Sequence, residues 1–268
     1  MTAPRLSACI EGIGLLGPGL ADWSQGRAIL AGEAAYAPAP SQLPAVAALP
    51  PAERRRVGRA VKLALAVGQQ AVTMAGLDAA ALATVFSSSG ADGDNCHEIC
   101  AQLASDDKLI SPTRFHNSVH NAPAGYWSIA TGAMAPSSVL CAYDASFGAG
   151  LIEAMAYAMT AAPRCLLIAY DSSYPEPLRS ARPVPDAFGI ALALTAAPSP
   201  GCLARIELTP AQGRATAMAD AGLEALRRDY PAGRGLPLLA ALARGGSAEL
   251  LLDYLDDCRL AVTVSPCR

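Results

Sequence analysis

Short, almost continuously apolar runs alternate along this chain with longer stretches of helical period. The runs fall at residues 7–13, 84–88, 138–142, 164–170, 189–195 and 203–208. Their near-complete lack of polar interruption predicts strands buried on both faces. Between them, apolar residues recur at three- and four-residue spacing over 57–75, 95–104, 147–160 and 211–229. Alternation of this kind predicts an α/β fold, a sheet covered by helices. Residues 33–52 are rich in Ala and Pro and read as a loop, and 230–237 read as a second break. A helix over 238–255 and a short strand-like run at 259–264 follow. Pro112 and Pro123 bracket His116 and His120, so that stretch reads as an irregular loop. No internal repeat is visible.

Composition narrows the function classes. Hydrophobic residues make up 52% and charged ones 16%, a balance that fits a subunit with a large buried interface as well as a plain Ala-rich globule. A net charge of −3 gives no support for nucleic-acid binding. No apolar segment is long enough to span a membrane. Leu6-Ser7-Ala8-Cys9 imitates a lipoprotein cleavage box but lacks the basic and apolar regions that must precede it. The expected location is cytoplasmic. The eight Cys have no repeating spacing, so reduced, buried thiols are expected. Cys96, His97 and Cys100 sit within one helical turn without a second pair, so neither a metal nor a cofactor is expected.

The chemistry-bearing stretch is 118–154. A polar loop leads to an apolar run (Ser137, Ser138, Val139, Leu140, Cys141), a tight turn at Tyr143 and Asp144, and a small-residue helix. A strand that delivers one side chain at a sharp turn into a helix N-terminus exposes it beside free backbone N–H groups. Here that side chain is Asp144, and a carboxylate cannot carry a thioester. Its alternatives are a helix cap, a pocket- or interface-shaping group, and a catalytic carboxylate. Cys141 lies among apolar neighbours and reads as core. Ser146 has no His after it to act as base.

The same residues resemble the ketoacyl synthases of the thiolase superfamily. There, a nucleophilic Cys lies nine residues before the Glu of a helix-opening segment like Gly148-Ala149-Gly150-Leu151-Ile152-Glu153-Ala154, and in this chain that position is Asp144. Ala8 to Gly14 resembles the opening strand, Ile29-Leu30-Ala31-Gly32 a following helix end, and Arg59 to Leu77 the next helix. Ile110-Ser111-Pro112 with Asn121 to Gly125 resembles the loop over the pocket, and Asp186 to Gly189 the approach to the last strand. The resemblance covers roughly 5–210. It implies a thiolase-like α/β fold, a mixed sheet covered by helices, with a single N-terminal half of the ketoacyl synthase fold over 1–210 and a helical extension carrying a short strand over 211–268. That extension is too short for a second α/β half of on the order of 150 residues, which in the family supplies two catalytic His. The three His here all precede Asp144.

The short chain-length-factor type found beside aryl polyene pigment synthases is the group most resembled. It implies an inactive subunit that forms a heterodimer with an active ketoacyl synthase in polyketide or fatty-acid-type extension and meets an acyl carrier protein transiently. Ser137, Ser138, Val139, Leu140 and Cys141 would form the interface strand. Phe115, His116, Asn117, His120, Asn121, Trp127, Tyr143 and Asp144 would face the partner or its acyl tunnel. Arg54, Arg55, Arg56 and Arg59 read either as an exposed helix start or as a landing patch for the carrier protein. The competing reading is a standalone acyl-thioester transferase, hydrolase or decarboxylase using Cys141, Ser146 or Asp144.

Overall fold

The computed structural model describes residues 5–267. In chain order the elements are β1 (Leu6–Leu16), α1 (Trp23–Ala31), α2 (Pro51–Arg54), α3 (Arg59–Ala75), β2 (Ala83–Ser87), α4 (Gly93–Ala104), α5 (Pro112–His116) and α6 (Ala122–Thr131). Then come β3 (Ser137–Leu140), α7 (Ser146–Thr160), β4 (Arg164–Asp171), α8 (Leu178–Ala181), β5 (Phe188–Thr195) and β6 (Ala204–Ala211). The last are α9 (Ala221–Asp229), α10 (Leu236–Arg244), β7 (Ala248–Leu255) and β8 (Cys258–Pro266).

All strands join one eight-stranded sheet in the order β3-β2-β4-β5-β1-β6-β8-β7. β2 is parallel to β3 and β4, whereas β5, β1, β6, β8 and β7 run antiparallel to their neighbours. The apolar runs are continuous because both faces are covered. Along β4, Cys165, Leu167 and Ala169 enter the core beneath α1, α7 and α10, while Leu166, Ile168 and Tyr170 enter the core beneath α3 and α6. Successive side chains of a strand point to opposite faces, so an alternating pattern would have left one core without side chains.

α3 lies directly on β1. A methyl group on Gly12 or Gly14 would overlap the carbonyl oxygens of Ala71 and Val67. The helix presents Leu63, Ala64, Val67, Ala71 and Val72 at the spacing of one face. Each buried Leu or Val contributes about 1.5–3 kcal/mol.

Three stretches depart from the sequence reading. The stretch bracketed by the two prolines, expected to be an irregular loop, opens as a helix at 112–116 and leads into another at 122–131: Pro112 and Pro123 occupy first turns, where a missing N–H costs nothing, and Gly132 closes the second helix in the left-handed region. The periodic stretch at 211–229 is helical only from Ala221, where Asp220 caps the end, and its start belongs to β6. The expected helix over 238–255 stops at Arg244, because Gly245 and Gly246 take φ of 70° and 79°. Leu250 and Leu252 then alternate inward as β7, which pairs with β8. Segment 211–268 therefore supplies two paired strands that extend the sheet beyond β6, where one short strand was expected.

The cysteines also depart from expectation. Cys202, ahead of β6, and Cys267, after β8, form a disulfide. Cys96, Cys100 and Cys141 are exposed, and only Cys9 and Cys165 are fully buried thiols.

Gly14→Ala should destabilise the chain by about 3 kcal/mol, since helix and strand must separate to admit the methyl group. Denaturant midpoints would register it; an unchanged midpoint would mean that α3 is free to move off β1.

Candidate functional site

β3 ends at the edge of the sheet, and the chain turns through Tyr143, Asp144 and Ala145 into α7. Ser146 closes this turn: its hydroxyl donates to the Tyr143 carbonyl (2.7 Å) and accepts the Ala142 N–H (3.1 Å). Ser87, at the end of β2, donates its hydroxyl to the Ser146 carbonyl (2.6 Å). Tyr143 sits at φ 52°, a region that costs a residue with a Cβ roughly 1–2 kcal/mol. In that conformation the residue is 62% exposed.

Asp144 does not cap α7, which has no side-chain cap. Its carboxylate is divided between two guanidinium groups. Arg182 donates to Oδ1 at 2.6 Å and Arg234 to Oδ2 at 3.0 Å. Arg182 also lies over the Tyr143 ring, 3.6 Å from its centroid. Both arginines are mostly buried, so the carboxylate lies where their desolvated charges need a counter-ion.

Arg234 is aimed from behind. Asp171, the last residue of β4, is buried and accepts the Ser89 N–H (3.0 Å), the Ser89 hydroxyl (2.5 Å) and the Ala232 N–H (2.7 Å). Ala232 opens the single turn that carries Arg234. Burial pushes the Asp171 carboxyl up to about 6, against the opposing pull of those hydrogen bonds and of Arg182. Cys141 is exposed, contrary to its reading as core, because β3 has no outer neighbour; its thiol donates to the Ser89 carbonyl (3.1 Å). A hollow of about 450 Å³ opens beside Asp144, with Tyr254 and Asp256 of the β7–β8 hairpin on its far side.

The loop residues divide. Phe115 and His116 end α5 exposed, His116 meeting the Tyr126 ring edge-on at 6.2 Å, and Asn121 is exposed ahead of α6. Asn117 is buried, against expectation: its amide donates to the Arg56 carbonyl (2.8 Å) and accepts from the Tyr126 hydroxyl (3.0 Å), so it knots the loop to the start of α3. His120 is half-buried, with Nε2 lacking a partner among the described residues. Trp127, expected to face the partner or its acyl tunnel, is buried within this chain. It lies in the core, edge-on to Phe86 at 6.5 Å, because helix α6 turns it inward onto α3.

Ser137 is exposed and Ser138, Val139 and Leu140 are half-buried along the unpaired edge of β3, with Met134 exposed just ahead of it. The arginine run is largely engaged locally. Arg56 pairs with Glu53 (2.9 Å), Arg59 with Asp186 (2.6 Å), and Arg54 reaches the Leu49 carbonyl.

Sequence reasoning missed Arg182, Arg234, Asp171 and Ser89. Arg234 lies in the recognised break at 230–237, and a cation flanked by two glycines there was the one local signal. Its partner lies 90 residues earlier, a pairing no periodicity reveals.

The family model described as beta-ketoacyl synthase, N-terminal domain, matches residues 22–248. No curated protein matches the sequence. Among solved structures, a ketosynthase in complex with its chain length factor from Xenorhabdus doucetiae aligns with a TM-score of 0.74 at 22% identity, over 96% of this chain and 99% of that one. A type II polyketide acyl-carrier protein in complex with its ketosynthase aligns with a TM-score of 0.74 at 11% identity, over 98% of this chain and 100% of that chain. The ishigamide ketosynthase/chain length factor aligns with a TM-score of 0.70 at 14% identity, over 98% and 100%. At these identities the likeness establishes the fold, which is thiolase-like as expected. Among the described residues no helix is long and apolar enough to cross a membrane.

The raised Asp171 carboxyl predicts a pH signature. Its folded value, about 6, lies above the ordinary 3.8. Its contribution to stability is therefore greatest below pH 4 and is lost as pH rises toward 6, by about 3 kcal/mol at most. The stability difference between the wild type and Asp171→Asn should change with pH across that window. Denaturation series at several pH values would read it, and a pH-independent difference would contradict the assignment.

Proposed function

The chain belongs to the beta-ketoacyl synthase N-terminal-domain family, and we propose that within it this protein is a catalytically inactive, chain-length-factor-like subunit that pairs with an active ketosynthase. The observation that carries the proposal is Asp144. Both of its oxygens are held, by Arg182 and Arg234, and in this reading it stands at the turn where the family carries its nucleophile. A carboxylate cannot form the acyl thioester, and one already committed to two cations is also a poor general base. No His follows it in the sequence.

β3 is the surface through which the partner docks. Its outer edge carries unpaired backbone groups, and such an edge is a template for strand addition. In this reading the β3 strands of the two subunits pair across a pseudo-two-fold, with burial of about 2,000 Å² or more. Phe115, His116 and Asn121 then stand against the partner's acyl pocket, and their bulk sets how long a chain fits, because a packed wall does not yield. Asn117 and Trp127 act one step back, by fixing the loop and the helix that present them. The products are polyene or polyketide chains of the aryl polyene type, delivered by an acyl carrier protein that visits transiently.

The competing reading, a standalone acyl transferase or hydrolase, draws its support from the exposed Cys141. The chain alone, incubated with an acyl-carrier thioester, should show no added mass; a stoichiometric acyl group on Cys141 or Ser146 would establish the competing reading.

Val139→Asp should abolish co-purification with the cognate ketosynthase, since a carboxylate would be desolvated between two strands. It should leave the isolated chain folded, because Val139 is only half-buried there. Undiminished co-purification by the variant would remove β3 from the interface.

A further inference from the structure

The sulfur atoms of Cys9, Cys202 and Cys267 lie within 4.8 Å of one another. They come from three separate places: β1, the segment leading into β6, and the residue after β8. Each place is fixed by backbone bonds. The Cys202 N–H donates to the Ser199 carbonyl (3.0 Å), and the next residue, Leu203, donates its N–H to the Ile10 carbonyl (2.8 Å). Pro266, just ahead of Cys267, is in register with Ala204 across β6 and β8. The cluster is therefore preorganised by the sheet.

We infer that the reduced chain binds one thiophilic divalent cation, Zn²⁺, through these three thiolates. The geometry fits without rearrangement of the strands. With Zn–S bonds of about 2.3 Å, tetrahedral ligands sit about 3.8 Å apart. Two-electron reduction of the disulfide by a small thiol or phosphine, with uptake of two protons, gives two thiols that separate to about that contact distance, and Cys9 is already beside them. Binding releases three protons and leaves a complex of charge −1. Arg205, the cross-strand partner of Cys9 on β6, supplies a neighbouring positive charge. Cys202 and Cys267 are half-buried, which leaves the fourth position to solvent. The oxidised form, with Cys202 and Cys267 bonded and Cys9 a buried thiol, and the metal form are alternative states of the same three sulfurs. In either state Cys267 is tied to Cys202 in the segment leading into β6. The inference stands apart from the pairing proposed above.

The test uses the full chain, reduced with a phosphine and desalted without oxygen. Titration with Co²⁺ should produce the thiolate charge-transfer and tetrahedral visible bands at one ion per chain, and Zn²⁺ should displace them. Cys9→Ser and, independently, Cys267→Ser should each weaken Co²⁺ binding by at least about tenfold. Cys258→Ser and the double variant Cys96→Ser with Cys100→Ser should bind as the wild type does. Having two ligand variants keeps the test valid if one fails to fold. No thiolate band after complete reduction would overturn the inference. So would a band that survives in both ligand variants or that vanishes with Cys96 and Cys100.

Discussion

One buried carboxylate holds the site together. Asp171 ends β4 inside the sheet, and its three hydrogen bonds reach Ser89, two residues beyond the end of β2, and Ala232, the first residue of the turn before α10. A buried anion that satisfies two backbone N–H groups and a hydroxyl is costly to desolvate yet costlier to leave unpaired. The N-terminal strands and the C-terminal segment are thereby clamped at a single point. Arg234 leaves that turn only two residues beyond the clamp, so the direction of its guanidinium toward Asp144 follows from a bond made to the main chain of Ala232.

The charge arithmetic around Asp144 follows from this. Two mostly buried arginines face one half-exposed carboxylate, and Arg182 gains a second favourable surface from the Tyr143 ring. A buried ion pair adds little to stability over an apolar filling, but removing one partner is expensive because the other charge stays behind. The left-handed conformation of Tyr143 is the local cost of the arrangement. Strain and two mostly buried cations fix the carboxylate in position, which suits the pocket-shaping role proposed for this chain.

Much of the fold was legible because both cores demand apolar side chains from the same strands. Cys165 to Tyr170 could be read as a buried strand from its unbroken hydrophobicity alone, and α3 from its helical stripe. The C-terminal segment was harder. Leu250 and Leu252 lie within a stretch whose Leu and Ala content reads as helix, and only the two glycines at 245 and 246, which take positive φ, break it. Proline misled in the opposite sense at α6, where Pro123 opens a helix rather than preventing one. Of the site, Asp144 was legible from its spacing to Glu153. Its arginines were not, since ion pairs across 38 and 90 residues leave no periodic trace. Trp127 and Asn117 were placed on the surface by their neighbours in sequence. Helix α6 and the Tyr126–Asn117 hydrogen bond turn them inward.

The account makes this chain a wall of another protein's pocket, and the length of the product measures that wall most directly. The chain reconstituted with its cognate ketosynthase and carrier protein, carrying His116→Trp or Phe115→Trp, should release shorter products by mass spectrometry while binding the synthase as before. An unchanged length distribution with both substitutions would contradict the account.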